Sequence, residues 1–194
     1  MPGLPLPQLS LGDDIVHLRG WRMSDVSALY AAFSDSTVQR FSWPQVRPYS
    51  EADAWEYLVE QEEGQARGTG LQLAAVTPDG RDLLLGCVSL YAIDRDQSRA
   101  AVGYWLVPHA RGRGIATRSV QLLAGWAFTT LGLARLELTC APENQASQRV
   151  AERCGFVREG LLRSHMAFKG GRRDTVLFGV LPHELRAGDA SGDG

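Results

Sequence analysis

Val107-Pro108-His109-Ala110-Arg111-Gly112-Arg113-Gly114-Ile115-Ala116-Thr117 is the stretch on which the fold turns. A β-rich run, Ala100 to Val107, ends at Pro108 and gives way to a glycine-containing loop. The loop leads straight into a helical pattern from about Ile115 to Leu131, apolar at Val120, Leu123, Ala124, Ala127, Phe128 and Leu131. The first turn of such a helix carries unpaired N–H groups and the positive end of a dipole. Gly112 and Gly114 let the backbone approach a bound group with no Cβ in the way, and Arg111 and Arg113 add full charge. This chemistry suits a phosphate or pyrophosphate. A helix-entry turn with glycines for conformation alone is the other reading.

Upstream, Ile15 to Arg19 reads as a first strand. Ser24-Asp25 opens a short helix with Val26, Leu29, Tyr30 and Phe33 on one side. Ser50 caps a second helix, acidic at Glu51 and Asp53, with Trp55, Leu58 and Val59 as its expected buried stripe. The period then changes to that of strands: Leu71 to Val76, Leu83 to Tyr91 and Ala100 to Val107 are joined by short turns as an antiparallel meander. Downstream of the long helix, Gly132 lies near the left-handed cap position. Arg135 to Cys140 is a strand, Gln145 to Cys154 a short helix ending at Gly155, and Leu162 to Phe168 and Thr175 to Leu181 flank a Lys169-Gly170-Gly171 turn. The order predicts an α+β fold: a mixed sheet with helices on its faces.

The 194 residues fit one domain, expected over residues 13–183, with loose termini at 1–12 and 186–194. Twenty basic against 22 acidic side chains leave a net charge of −2, which argues against a general polyanion coat and against nucleic acid as partner. Nineteen of the twenty are Arg, a bias that a GC-rich genome would also produce. No run approaches the ~18 apolar residues of a membrane span, and residues 1–7 lack the pattern of a signal peptide. Cys87, Cys140 and Cys154 are far apart in apolar contexts and read as reduced core thiols of a cytoplasmic protein. The four His show no metal-ligand spacing with one another or with Cys, so no metal is expected.

The loop is no P-loop, since no Gly-Lys-Ser/Thr follows. Gly112-x-Gly114-x-x-Thr117 with Glu137 twenty residues on approaches a dinucleotide fingerprint, which would make an oxidoreductase. Against it stand the Thr at the third position, Glu137 inside an alternating strand, and the antiparallel strands before the loop.

Arg111-x-x-Gly114-x-Ala116 matches the coenzyme signature of the GNAT N-acetyltransferases, and the chain resembles in particular their RimJ/RimL-like branch, which acetylates ribosomal-protein N-termini. The likeness is carried by Val102-Gly103-Tyr104-Trp105-Leu106, the loop, Trp126-Ala127-Phe128, Arg135-Leu136-Glu137-Leu138, Asn144 to Phe156, Glu159-Gly160 and Arg163, in order over roughly Val16 to Leu181. It implies a mostly antiparallel GNAT sheet of about seven strands, helices on both faces, and two strands splayed at an acyl-CoA site. By the same resemblance, acetyl-CoA or another acyl-CoA such as succinyl-CoA lies along Trp105, Leu106 and Val107. Its pyrophosphate would rest on Arg111, Gly112, Arg113, Gly114, Ile115, Ala116 and Thr117. The acyl group passes directly to an amine, either a protein N-terminus or a small-molecule amine. A homodimer is implied by analogy only.

Asn144 would face the pantetheine, and is equally a good N-cap. Ser147 would protonate the departing thiolate as general acid, or is a plain capping Ser. Arg149 would meet an adenine-ribose phosphate, as would Arg153 one turn on, unless both are simply solvated. The Glu that relatives place nineteen residues past the Ser is Met166 here. Tyr104, Glu159, Asp174 and His165 are therefore the other catalytic candidates, with His165 expected on the opposite sheet face from position 166. The missing base also leaves open a non-catalytic acyl-CoA-binding module. Phe41 and Trp43 are candidate acceptor-site residues, Phe41 more in keeping with core.

Overall fold

The computed structural model describes residues 9–186; residues 1–8 and 187–194, most of the expected loose termini, lie outside it. Thirteen elements follow in chain order. They are β1 (Leu11–Gly12), β2 (His17–Gly20), α1 (Val26–Phe33), α2 (Ser36–Ser42), α3 (Glu51–Arg67), β3 (Leu71–Val76), β4 (Leu84–Asp94), β5 (Arg99–Leu106), α4 (Ile115–Thr130), β6 (Arg135–Cys140), α5 (Gln145–Cys154), β7 (Val157–Phe168) and β8 (Gly171–Val180). The strands form one sheet of eight in the order β1-β2-β3-β4-β5-β6-β8-β7. Every neighbouring pair is antiparallel except β5–β6. The α+β expectation holds, with one strand more than the seven foreseen.

That extra strand falls where a loose end was expected: Leu11 pairs with Leu18, and Leu9 and Leu11 pack on the core. A second addition is α2. Asp35 caps it, accepting from the Thr37 and Val38 N–H groups. Trp55 is the clearest reversal, for it is 55% exposed, while Asp53 is buried. The capping box explains this: Asp53 accepts from the Ser50 N–H and hydroxyl and pairs with Arg47, which turns its side of α3 inward.

Neighbours on β5 mark the two faces of the sheet. Trp105 packs edge-on against Phe33 of α1 and stacks on Trp21, at 5.3 and 6.2 Å between ring centroids. Tyr104, pointing the other way, bonds Ser147 of α5. Cores rich in Leu and Val fill both layers, from Leu29 and Leu58 to Val120, Leu123, Leu138 and Phe178. Gly155 ends α5 at φ 94°, where a Cβ would sit 2.1 Å from the Glu184 carbonyl oxygen, so only glycine fits this stop. The three thiols are free and buried, and burial pushes those of Cys87 and Cys154 up to about 12, so they stay protonated. Among the described residues no helix is long and apolar enough to cross a membrane.

Candidate functional site

β5 and β6 run side by side only through Arg99, Ala100 and Ala101; from Val102 onward they part. The Val107 N–H donates to Leu85 of β4 at 3.0 Å. By strand alternation, the backbone groups of Gly103 and Trp105 therefore also face β4, while those of Val102, Tyr104 and Leu106 face the gap. A sheet that opens in this way exposes an extended backbone edge to a ligand.

The loop after β5 forms the floor of the gap. Pro108–Ala110 make one short 3-10 turn. Gly114, at φ 77°, then enters α4 in the left-handed region, where other residues pay a steric penalty. The Arg118 N–H makes the first helical bond, to Gly114 at 3.0 Å. No side chain caps this end, so the N–H groups of Ile115, Ala116 and Thr117 have no partner within the helix. A Cβ built on Gly112 or Gly114 would meet nothing within 4 Å. Open space over bare N–H groups at the head of a 16-residue helix is a fit for a pyrophosphate.

Floor and gap join in one cleft of about 320 Å³. Tyr104, Trp105 and Leu106 form one side, and Asn144, Ser147 and Arg149 of α5 the other; Gly112 and Gly114 to Thr117 lie between. Val107 is buried and outside the lining, and Arg113 is exposed away from it. Arg111 lines the cleft, but its guanidinium is spoken for: it donates to the Leu106 carbonyl at 3.0 and 3.2 Å and pairs with Asp35. Burial works against the Asp35 carboxylate, yet Arg111 and the α2 N–H groups hold it below its ordinary range. Arg111 therefore ties α2 to the loop while it lines the cleft.

Thr37, Val38, Phe41 and Ser42 make α2 a wall of the cleft; the sequence reading had Phe41 as a candidate there but missed the helix that carries it. Asp35 before Ser36-Thr37, a cap signal, was the available clue. Phe41 is thereby a cleft residue rather than core. Trp43 packs instead, its Nε1 donating to the Arg47 carbonyl at 2.8 Å and its ring edge-on to Tyr49 at 4.8 Å. Arg153 also reaches the lining.

Ser147 and Tyr104 meet at the deep end, where the Tyr104 hydroxyl donates to Ser147 Oγ at 3.1 Å. Burial pushes the Tyr104 phenol well above its usual value, so it stays protonated and cannot accept a proton at neutral pH. Asn144 is the N-cap of α5, its Oδ1 accepting from the Ser147 N–H at 3.2 Å, and it lines the cleft as well.

The remaining base candidates lie elsewhere. Glu159 is held by Arg135 through two bonds of 2.7 and 2.5 Å, which depress its carboxyl. Asp174 accepts from the Ser164 N–H at 2.6 Å and pins a bulge in β7. That bulge overturns the alternation expected of His165. Leu162 pairs with Thr175 and Met166 with Arg173, so two extra residues of β7 are taken up between them. As a result the His165 Nδ1 reaches Thr175 at 2.7 Å while Met166 touches Arg173 beside it. Both side chains serve one face of β8. Glu137 is bound by Arg135 at 2.9 Å and lies outside the cleft, which removes the acid a dinucleotide ribose would need.

The description of the acetyltransferase (GNAT) domain matches residues 16–157. An uncharacterized N-acetyltransferase p20 of Bacillus licheniformis is 28% identical over 172 residues, 86% of this chain and 93% of that protein. A ribosomal-protein-serine acetyltransferase of Escherichia coli is 34% identical over 97 residues, 50% of this chain and 54% of that one. The structure of Mycobacterium smegmatis RimJ in complex with CoA-disulfide superposes with a TM-score of 0.79 at 26% identity, covering 96% of this chain and 92% of that one. With a family match over most of its length and a splayed sheet around a bare helix N-terminus, the chain belongs to the GNAT acetyltransferase family and is an acetyltransferase.

Proposed function

We infer that the enzyme takes its acetyl group from acetyl-CoA and passes it directly to a primary amine, with the α-amine of a protein N-terminus as preferred acceptor. The observation that carries this is the meeting, in one cleft, of the uncapped α4 N-terminus, the open edge of β5 and the Tyr104–Ser147 pair. The N–H groups of Ile115 to Thr117 hold the pyrophosphate, with Arg149 and Arg153 at the nucleotide end. The edge at Tyr104 and Leu106 lies along the pantetheine arm and offers N–H groups to the thioester oxygen as it gains charge. The bound thioester supplies an activated acyl carbon.

Tyr104 stays protonated and donates its hydrogen bond to the Ser147 oxygen, which leaves the Ser147 O–H free to protonate the departing sulfur. The proton shed by the attacking amine goes to solvent, which restores the hydroxyl. Among the described residues, the cleft lining brings in no carboxylate or imidazole as base. This suits an acceptor that is already partly neutral. At pH 7 an α-amine of pKa ~8 is about one-tenth neutral, whereas a lysine amine of ~10.4 is neutral in about four molecules per ten thousand. The ribosomal-protein-serine acetyltransferase among its relatives supports the same acceptor class.

A thiol-release assay tests this with paired peptides, one with a free N-terminus and no Lys, one N-blocked with Lys. Faster release with the first is expected, and faster acetylation of Lys side chains overturns the acceptor assignment. Running acetyl- and succinyl-CoA in parallel tests the donor, with acetyl-CoA expected to be the better substrate. Ser147→Ala is expected to lower kcat by about 100-fold with the acetyl-CoA KM within about threefold. An unchanged kcat removes the general acid.

A further inference from the structure

Arg173 takes no part in the chemistry above, and its setting is unusual. It lies on β8 beyond the last β6–β8 pair, Cys140 with Val176, at the end of the sheet where β5 and β6 have parted. Its guanidinium lies 3.7 Å over the Phe168 ring, and Nη2 donates to the Phe41 carbonyl at 3.3 Å. Phe41 is a wall of the cleft. The Nε atom is buried with no hydrogen-bond partner, and among the described residues no carboxylate pairs with this cation. Burial depresses its pKa, and the nearby Glu143 carboxylate opposes this. The cation thus stands behind the Phe41 wall at the open end of the sheet, outside the residues that line the cleft itself. Met166, whose Sδ lies 3.5 Å from Nη2, forms a soft and partly exposed cover over it.

A partly buried guanidinium with an unanswered donor favours a planar anion that can satisfy it. We propose that Arg173 is the acceptor-recognition residue, receiving a carboxylate carried close to the attacking amine, most simply an Asp or Glu side chain next to a peptide's N-terminal residue. Binding displaces the Met166 thioether and pairs the carboxylate with the Nε and Nη groups in a bidentate arrangement. The enzyme then selects acidic N-termini by charge, apart from any role in acyl transfer. This rests on the acceptor end assigned under the proposed function.

The test uses the full chain loaded with CoA for binding and with acetyl-CoA for turnover. Peptides beginning Ser-Asp, Ser-Asn and Ser-Lys are compared, together with a free amino acid and its amide. The wild type is expected to favour Ser-Asp over Ser-Asn at least about tenfold in Kd and KM, with kcat within about threefold. Arg173→Gln is expected to level the peptides while leaving the acetyl-CoA Kd unchanged. Met166→Glu, which sets an internal carboxylate across from Arg173, is expected to level them with Arg173 still in place. Equal wild-type affinity for Ser-Asp and Ser-Asn overturns the proposal, as does an Arg173→Gln loss that falls equally on all acceptors. If amino acids turn over and peptides do not, the peptide assignment fails. The preference for amino acid over amide then still tests Arg173. With no turnover at all, the binding comparison decides it.

Discussion

Thr117→Asp is expected to weaken acetyl-CoA binding by at least about 100-fold while leaving the folded protein as stable as before or more so. Thr117 is the third residue of α4, lines the cleft, and follows the uncapped turn at Gly114. A carboxylate there interacts favourably with the helix dipole, by about 0.3–1 kcal/mol. In the proposed coenzyme site the same carboxylate faces the pyrophosphate. Two like charges about 4 Å apart repel by about 4 kcal/mol at an effective dielectric of 20, which far exceeds the gain. Thr117→Asn removes the charge and keeps the shape, and should bind within about threefold of wild type. Calorimetric titration with acetyl-CoA and a urea melt read the two effects separately. Equal affinity in the Asp and Asn variants would return the loop to a plain helix entry.

The second large effect concerns the fold. Arg19→Met is expected to cost about 3–5 kcal/mol, because it strands the Asp25 carboxylate beside a buried position and leaves Asp82 with Arg22 alone. Arg19 is 6% exposed and donates to both oxygens of Asp25, at 2.8 and 3.0 Å, and to Asp82 at 2.8 Å. Burial works against this cation, but its bonds to Asp25 and Asp82 outweigh that and raise its pKa. The network joins β2 to the turn before α1 and to the turn between β3 and β4. At about 2–4 °C per kcal/mol for a domain of this size, Tm should fall by roughly 6–20 °C.

The pH dependence has a definite sign. Arg19 holds the Asp82 carboxyl below its ordinary value, so the unfolded chain binds the proton more tightly. That stability is present above pH ~4 and is lost as the pH falls through the lower, folded value. The gap between wild type and variant should therefore narrow below pH ~4. Adding Asp25→Asn and Asp82→Asn to Arg19→Met should recover a large part of the loss at neutral pH, since the stranded charges are then gone. A loss under 1 kcal/mol at pH 7 would mean that the network is well replaced by water.

The element order, the anion loop and the coenzyme family were legible because their signals are local. Period-2 runs with a Pro-Asp-Gly turn mark the meander, and glycines at 112 and 114 mark the helix entry. Asn144 before Gln145 marks the cap of α5, and the structure has that cap. Each depends on residues a few positions apart, whose conformations couple through hydrogen bonds and side-chain volume within a turn or two.

Tertiary structure alone decided what those pieces face. Arg111 reads in sequence as an anion ligand alone, and the fold adds a second task by pairing it with Asp35, 76 residues away. Phe41 changes from core to cleft wall, and its carbonyl meets Arg173, 132 positions on. His165 obeys strand alternation on paper and loses it to two extra residues in β7, whose place is set by pairing with β8. Glu159, a plausible base in isolation, lies beside Arg135 once the sheet has closed. Charges and bulges take their partners from whatever the assembled sheet brings within a few ångströms, and nothing in the local pattern of a chain records that distance.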